Sequence, residues 1–219
     1  MALFATNDYA TSSAGVMMAA ETNLEVLLER AKRHDSEALG TLVELYRGYL
    51  TLLARTQIGR RLQGKADAAD LVQETFLQVH QHIGGFRGTS EGEFLAWLRT
   101  ILAGILSNHV RRYFGTKQRD ARLEKALAVE LDDTSGMLSQ GLVADTSTPS
   151  RHATKREALV ILANAMEQLP EDYRQVIMLR HLEGLPFADV ATRMGRTVPS
   201  VQNLWVRALA RLKQAVGGE

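Results

Sequence analysis

The sequence contains no cysteine in 219 residues. That absence excludes a disulfide framework, a thiolate nucleophile and a cysteine-ligated zinc site, and it fits a reducing cytoplasm. Proline is scarce, with 4 residues, and aromatics reach only 6%, values that suit a helix-rich soluble protein and give no sign of a fibre. Long apolar runs are missing too. The most hydrophobic stretch, 94–106, is interrupted by Arg99 and is too short to span a bilayer. Residues 1–20 lack the basic start and continuous apolar core of a secretory signal. No membrane insertion and a cytoplasmic location are expected. Also absent are a glycine-rich phosphate loop, a nucleophile elbow and a His-Glu zinc motif, so no catalytic centre, cofactor or metal site is expected. His80 and His82, two apart on a helix, point to different faces.

The net charge of +1 hides a strong segregation. Between 97 and 125, Arg99, Arg111, Arg112, Lys117, Arg119, Arg122 and Lys125 face only Asp120 and Glu124. Between 185 and 216, Arg193, Arg196, Arg207, Arg211 and Lys213 face only Asp189. Between 65 and 93 the balance reverses: Asp67, Asp70, Glu74, Glu91 and Glu93 stand against Lys65 and Arg87. Two basic zones suit a polyanion, and an acidic one suits a basic partner.

Apolar spacing is helical throughout, with no strand alternation and no internal repeat. Residues 1–20 read as a flexible leader. Thr22 and Glu25 form a capping box for a first helix bearing Leu24, Leu27, Leu28 and Ala31. Asp35 or Ser36 can cap a second, with Leu39, Leu42, Val43, Tyr46, Leu50 and Leu53 as its buried stripe, packed antiparallel to the first. After a break near Gly64, Asp67 opens a third, with Val72, Phe76, Val79 and Ile83 inward, ending at Gly84-Gly85. Ser90 and Glu93 make another capping box before a long helix that buries Phe94, Trp97, Leu98, Ile101 and Ile105 and runs out into Arg111-Arg112. From 126 to 150 the pattern dissolves into an acidic linker with at most a little helix. It resumes with Leu159, Leu162, Ala163, Met166 and Leu169; beyond Pro170, Tyr173, Val176, Ile177 and Leu179 mark a helix that stops at Gly184.

Residues 185–205 have helix-turn-helix spacing: small Ala191 where two helices cross, Gly195 in the turn, and Val190, Met194, Val201 and Leu204 as shared core. Thr197 can cap the second helix and Pro199 is tolerated in its first turn. In such a motif the second helix enters the major groove. Ser200, Gln202, Asn203 and Arg207 are then outward candidates: amides pair with adenine, and arginine reads guanine or grips phosphate.

A C-terminal helix-turn-helix fits many regulators, but the upstream half is more particular. The segment 67–77, Asp-Ala-Ala-Asp-Leu-Val-Gln-Glu-Thr-Phe-Leu, resembles the part of bacterial RNA polymerase sigma factors that grips the clamp helices of the β′ subunit. On a helix Asp67, Asp70 and Glu74 share one face, as do Gln73 and Leu77; the same carboxylates would equally suit a solvated acidic face or the helix dipole. Phe86-Arg-Gly, then 93–101 and His109-Val-Arg-Arg, looks like the sigma segment that recognises and melts the minus-ten element. The resemblance extends over about 24–216 without a middle domain, which points to the extracytoplasmic-function subfamily.

What the resemblance implies is an all-α chain of two small helical domains: a leader at 1–20, sigma domain two at 21–115, an acidic linker at 116–153, and helix-turn-helix sigma domain four at 154–219. It implies core polymerase contacts at Asp67, Asp70, Gln73, Glu74 and Leu77, and minus-ten contacts at Phe86, Arg87, Asn108, Arg111 and Arg112. Minus-thirty-five contacts fall on Arg196, Ser200, Gln202, Asn203, Arg207 and Arg211. The implied partners are core RNA polymerase, through the β′ clamp helices and β flap, promoter DNA and, by family habit, an anti-sigma factor. Trp97 and Phe94 sit at core spacing and are expected mainly to pack inside. The sequence also departs from the family. Ala103-Gly104 stands where Arg-Asn is frequent, and Gln202 and Leu204 stand where Lys and Arg are frequent, shifting phosphate contacts toward Arg196, Arg207 and Arg211. An autonomous helix-turn-helix regulator, acting without core polymerase, is the alternative; it leaves 67–77 and the Trp97 segment unexplained.

Overall fold

The structure is a computed structural model that describes residues 24–62, 66–114, 121–138 and 155–216, and every regular element among them is helical. In chain order these are α1 (Leu24–Lys32), α2 (Ser36–Gln57, continuing as a π-helical turn Ile58–Leu62), α3 (Ala68–His82, then a 3₁₀ turn Ile83–Gly85) and α4 (Glu91–Phe114). They are followed by α5 (Ala121–Met137), α6 (Lys155–Glu167), α7 (Glu171–Ile177, then a π-helical turn Met178–Leu182), α8 (Phe187–Met194) and α9 (Val198–Val216). Thr22, Gly64 and the leader lie outside the described residues.

Capping chemistry sets the starts of these helices. The Asp35 carboxylate accepts from the backbone N–H of Glu37 and Ala38 at the head of α2, and Asp67 accepts from Ala69 N–H at the head of α3. Glu93 Oε2 accepts from Thr89 N–H, Ser90 N–H and Ser90 Oγ–H while Glu93 N–H donates to Ser90 Oγ, so the capping box of α4 is complete. These donors, led by the Ser90 backbone, hold the Glu93 carboxyl below the usual carboxylate range.

The first unit is built on α2. Its buried residues Leu42, Tyr46, Tyr49, Leu50 and Leu53 meet α1 through Leu27 and Leu28, α3 through Leu71 and Val72, and α4 through Phe94, Leu98, Leu102 and Leu106. Each such side chain removed from water contributes about 1.5–3 kcal/mol. Phe76, expected inside, is only half-buried, with the Arg47 guanidinium 5.4 Å from its ring centroid.

The expected linker holds more structure than its composition suggested. Residues 121–138 form a helix that buries Leu127, Leu131 and Leu138 and packs along α4. At the departure Ala103-Gly104, Ala103 is fully buried, and a Cβ at position 104 would meet Glu124 Oε1 of α5 at 3.7 Å, an ordinary contact distance. Tyr49 O–H donates to Ser135 Oγ, Arg99 donates to the Tyr49 oxygen at 2.9 Å, and Arg99 also pairs with Asp132 at 2.7 Å. Burial pushes the Tyr49 phenol up, against the opposing pull of Arg99. Arg61 pairs with Glu130. The stretches 115–120 and 139–154 lie outside the described residues.

The second unit is α6–α9. Gly184 (φ 70°) ends the π-helical turn and Gly195 (φ 62°) makes the left-handed turn between α8 and α9, a conformation that favours glycine. Val190, Ala191 and Val201 are buried at the helix crossing. The two units are not separate in space. Helix α6 packs along α2, and one continuous apolar cluster runs through both.

Candidate functional site

Three surfaces were expected to carry function, and each has its own geometry. The first lies on α3. Buried Leu71, Val72, Thr75 and Val79 fix its orientation, which leaves Asp67, Asp70, Gln73, Glu74 and Leu77 all exposed. Leu77 is 62% exposed. Glu74 is not idle: His109 Nε2, on α4, donates to its Oε1 at 3.0 Å. Sequence reasoning gave His109 no such role, because the contact joins residues 35 apart. Glu74, Leu77, Trp97, Ile101 and Asn108 line a groove of about 550 Å³ between α3 and α4, so the acidic ledge and the basic end of α4 border one surface.

The second surface is the loop before α4 and that helix's last turns. Phe86 does not project from the loop. Its ring stacks on Trp97 (centroids 4.9 Å, 29°), meets Phe94 edge-on at 5.7 Å, and has Lys32 Nζ 5.6 Å from its centroid. Lys32 Nζ also donates to the Gly88 carbonyl at 2.8 Å, tying the loop to α1. Phe94 is fully buried and Trp97 half-buried, as core spacing predicted. Arg87, Asn108 and Arg112 are exposed, and Arg111 is half-exposed with its Nη2 donating to Asn108 Oδ1 at 2.6 Å. The aromatic residues thus form a wall, and the polar candidates stand at its margin.

The third surface is the outer face of α9. Val201, Ala208 and Leu212 are buried and hold the helix down. Ser200, Gln202, Asn203, Arg207 and Arg211 are all exposed. Gln202, Asn203 and Arg207 make no side-chain hydrogen bond or ion pair among the described residues, and Arg211 reaches Gln214 at 3.4 Å. Leu204 is half-buried against the core. Arg196 is exposed and pairs with Asp172 on α7. Thr197 caps α9 weakly, accepting from Ser200 N–H at 3.4 Å. Sequence reasoning missed Val206, which is 59% exposed. At 100° per residue it stands between Gln202 and Asn203 on the exposed face of α9, and the signal was present in the helical register.

No group of three or more His, Asp or Glu among the described residues could hold a metal ion, and no described helix is long and apolar enough to cross a membrane.

Comparison with known proteins covers both units. The family model described as "Sigma-70 region 2" matches residues 42–113, and "Sigma-70, region 4" matches 159–212. The chain is 31% identical over 191 residues to the RNA polymerase sigma-H factor of Pseudomonas aeruginosa, covering 87% of this chain and 92% of that one. It is 29% identical to the ECF RNA polymerase sigma-E factor of Haemophilus influenzae, covering 91% and 98%. Among solved structures, the RsbN–BldN complex matches with 23% identity and a TM-score of 0.30 over 85% of this chain and 97% of that one. The flagellar Sigma-28/FlgM sigma/anti-sigma complex matches with 16% identity and a TM-score of 0.35 over 85% and 99%.

Proposed function

The chain belongs to the sigma-70 family of RNA polymerase sigma factors, extracytoplasmic-function type, and from that premise we propose how its surfaces divide the work. As a sigma factor it binds core RNA polymerase and directs promoter-specific transcription initiation. Asp67, Asp70, Gln73, Glu74 and Leu77 on α3 grip the β′ clamp helices. Arg87, Asn108, Arg111 and Arg112 hold the minus-ten strand, with the Phe86–Trp97 wall replacing the stacking of an extruded base. The outer face of α9 reads the minus-thirty-five duplex, and the second unit also meets the β flap. The protein works in the cytoplasm and performs no chemistry of its own.

The observation that carries this reading is the ledge itself. A row of exposed carboxylates leads up to an exposed leucine on a helix whose other side is locked into the core. An acidic row ending in an apolar side chain suits a basic helix, and like-charge contact across such an interface costs several kcal/mol. The double variant Asp70→Lys, Glu74→Lys should therefore lose core binding by about a hundredfold or more, with unchanged helical circular dichroism. Reconstituted transcription on a genomic DNA pool should then lose its start sites. Retention of wild-type core affinity by that variant would remove the ledge from the interface. Tight specific duplex binding by the chain without core would favour the autonomous regulator.

A further inference from the structure

We infer that Lys32, at the C-terminal corner of α1, is a positioning residue of the surface proposed to meet the minus-ten element: it holds the loop 86–90 so that the Phe86–Trp97 wall keeps the form that receives an unpaired base. The inference rests on the reading of that wall given above. Lys32 reaches the loop across space. Its Nζ donates to the Gly88 carbonyl oxygen at 2.8 Å and to Glu29 Oε1 at 2.7 Å, and it lies 5.6 Å from the centroid of the Phe86 ring. The side chain is only 14% exposed, although a lysine normally keeps its charged head in water. A carboxylate, a carbonyl oxygen and an aromatic ring thus surround the ammonium, whose N–H groups number three, and little of it is left to grip a phosphate. Lys32 therefore acts through the loop and not on DNA directly. Its hydrogen bond also holds the Glu29 carboxyl below the usual carboxylate range, so the pair stays ionised.

The tie falls where the loop is most tightly folded. At one end Phe86 N–H donates to the Ile83 carbonyl at 3.0 Å, and at the other Thr89 and Ser90 N–H donate to Glu93 Oε2. Between them the chain passes beneath the Phe86 ring. A Cβ at Gly88 would stand 2.9 Å from Phe86 Cε2 and 2.8 Å from Glu93 Cβ, and the second of these atoms is fixed to the backbone of α4. Gly88 is therefore the point where ring, loop and helix meet, and its carbonyl is the group that Lys32 holds. Removing the ammonium takes a charged donor from that carbonyl and a cation from beside the ring, leaving Phe86 with only its aromatic partners Trp97 and Phe94.

The corner that carries Lys32 is shaped for the purpose. Leu27, Leu28 and Ala31 are buried and fix α1 to the core. His34 then adopts φ 64°, a left-handed conformation that residues other than glycine take up at a cost. Its N–H donates to the Ala31 carbonyl at 2.9 Å, and Asp35 N–H donates to the Arg30 carbonyl at 3.2 Å, which closes the helix. The turn lays the His34 ring on Gly84, where a Cβ would stand 2.9 Å from His34 Nε2 and 3.6 Å from the Lys32 carbonyl oxygen. Gly84 belongs to the 3₁₀ turn from which the loop departs. The corner thus meets the segment twice, at Gly84 through His34 and at Gly88 through Lys32. Two points of contact fix the direction of a loop, where one would only tether it.

The test compares Lys32→Met, which keeps the length of the side chain and removes its charge, with Lys32→Arg, which keeps charge and donors. In the free full-length chain, amide hydrogen exchange over residues 86–90 should rise about tenfold in Lys32→Met, the scale of one hydrogen bond to a charged group, and stay at the wild-type rate in Lys32→Arg. In holoenzyme, Lys32→Met should slow promoter melting, read by permanganate, by a similar factor with core affinity and initial promoter binding unchanged, and Lys32→Arg should melt promoters as wild type does. If Lys32 works through Phe86, adding Lys32→Met to Phe86→Ala costs nothing further. Unchanged exchange in Lys32→Met would overturn the tie, and faster exchange with normal melting would overturn its role. Additive losses in the double variant would make Lys32 a direct DNA contact, and a fall in core affinity or helical content would make it a residue of the fold at large; either result removes the positioning role. Normal melting by Phe86→Ala alone would sink the reading of the wall instead, and the exchange result, which needs no promoter, still decides whether Lys32 sets the loop.

Discussion

The surface proposed to meet the minus-ten element and the outer face of α9, proposed to read the minus-thirty-five duplex, are built on different plans. On α9 the candidate readers Gln202, Asn203 and Arg207 project without partners among the described residues from a helix pinned by Val201, Ala208 and Leu212. Around α4, Phe86 is engaged on Trp97 and Phe94, Asn108 with Arg111, and Glu74 of the neighbouring ledge with His109, while Arg87 and Arg112 stand exposed. A preformed face can read duplex DNA as a rigid body, with little ordering cost. A surface whose groups bond to one another must exchange those bonds for new ones, which suits an event that itself rearranges the DNA.

The largest expected effect breaks this comparison at its anchor. Phe94 is 1% exposed and touches Tyr46, Phe86 and Trp97. Phe94→Ala should cost about 3–5 kcal/mol of stability and leave Phe86 without its edge-on partner. Promoter melting, followed by permanganate reactivity of unpaired thymines, should fail at temperatures where α9 still binds a minus-thirty-five duplex within the holoenzyme. Equal loss of both activities would mean that the two surfaces are not independently built. A smaller effect tests the other side. Arg207→Ala removes one exposed cation from α9. If it grips phosphate, promoter affinity falls almost uniformly over sequences and the salt slope drops by about one counterion; if it reads guanine, about 1–3 kcal/mol is lost at one position only.

How much of this was legible beforehand follows the range of the interactions. The caps at Asp35, Asp67 and the Ser90–Glu93 box, the left-handed turn at Gly195 and the inward faces of α2 and α3 depend on residues within a turn or two of one another, and sequence spacing captures those. The acidic ledge was readable for the same reason. Helix α5 was not, because its apolar positions Leu127, Leu131 and Leu138 lie among acidic and small residues, and its partners Tyr49, Arg61 and Arg99 stand far back in the chain. The α2–α6 contact was equally hidden. Gly48 reads as an ordinary helix glycine until Asn164, 116 residues later by number, is laid against it. The Arg196–Asp172 ion pair joins residues 24 apart and was hidden for the same reason.

The smallest effect concerns Val206 and sharpens what the exposed face of α9 reads. A valine 59% exposed amid polar side chains gains nothing from water, whereas the 5-methyl of thymine in the major groove offers it an apolar contact. Burying one methyl-sized group is worth about 0.8 kcal/mol, so Val206→Ala should weaken minus-thirty-five binding by roughly threefold to fourfold on the preferred sequence. The cause is separable from a general loss of fit. Replacing each thymine of that element in turn by uracil deletes only the methyl. At the one position facing Val206, the uracil substitution should cost wild type the same factor and should cost the Val206→Ala variant nothing. Additive losses at every thymine would leave Val206 as a bystander between Gln202 and Asn203, and sequence readout would then rest on the amides alone.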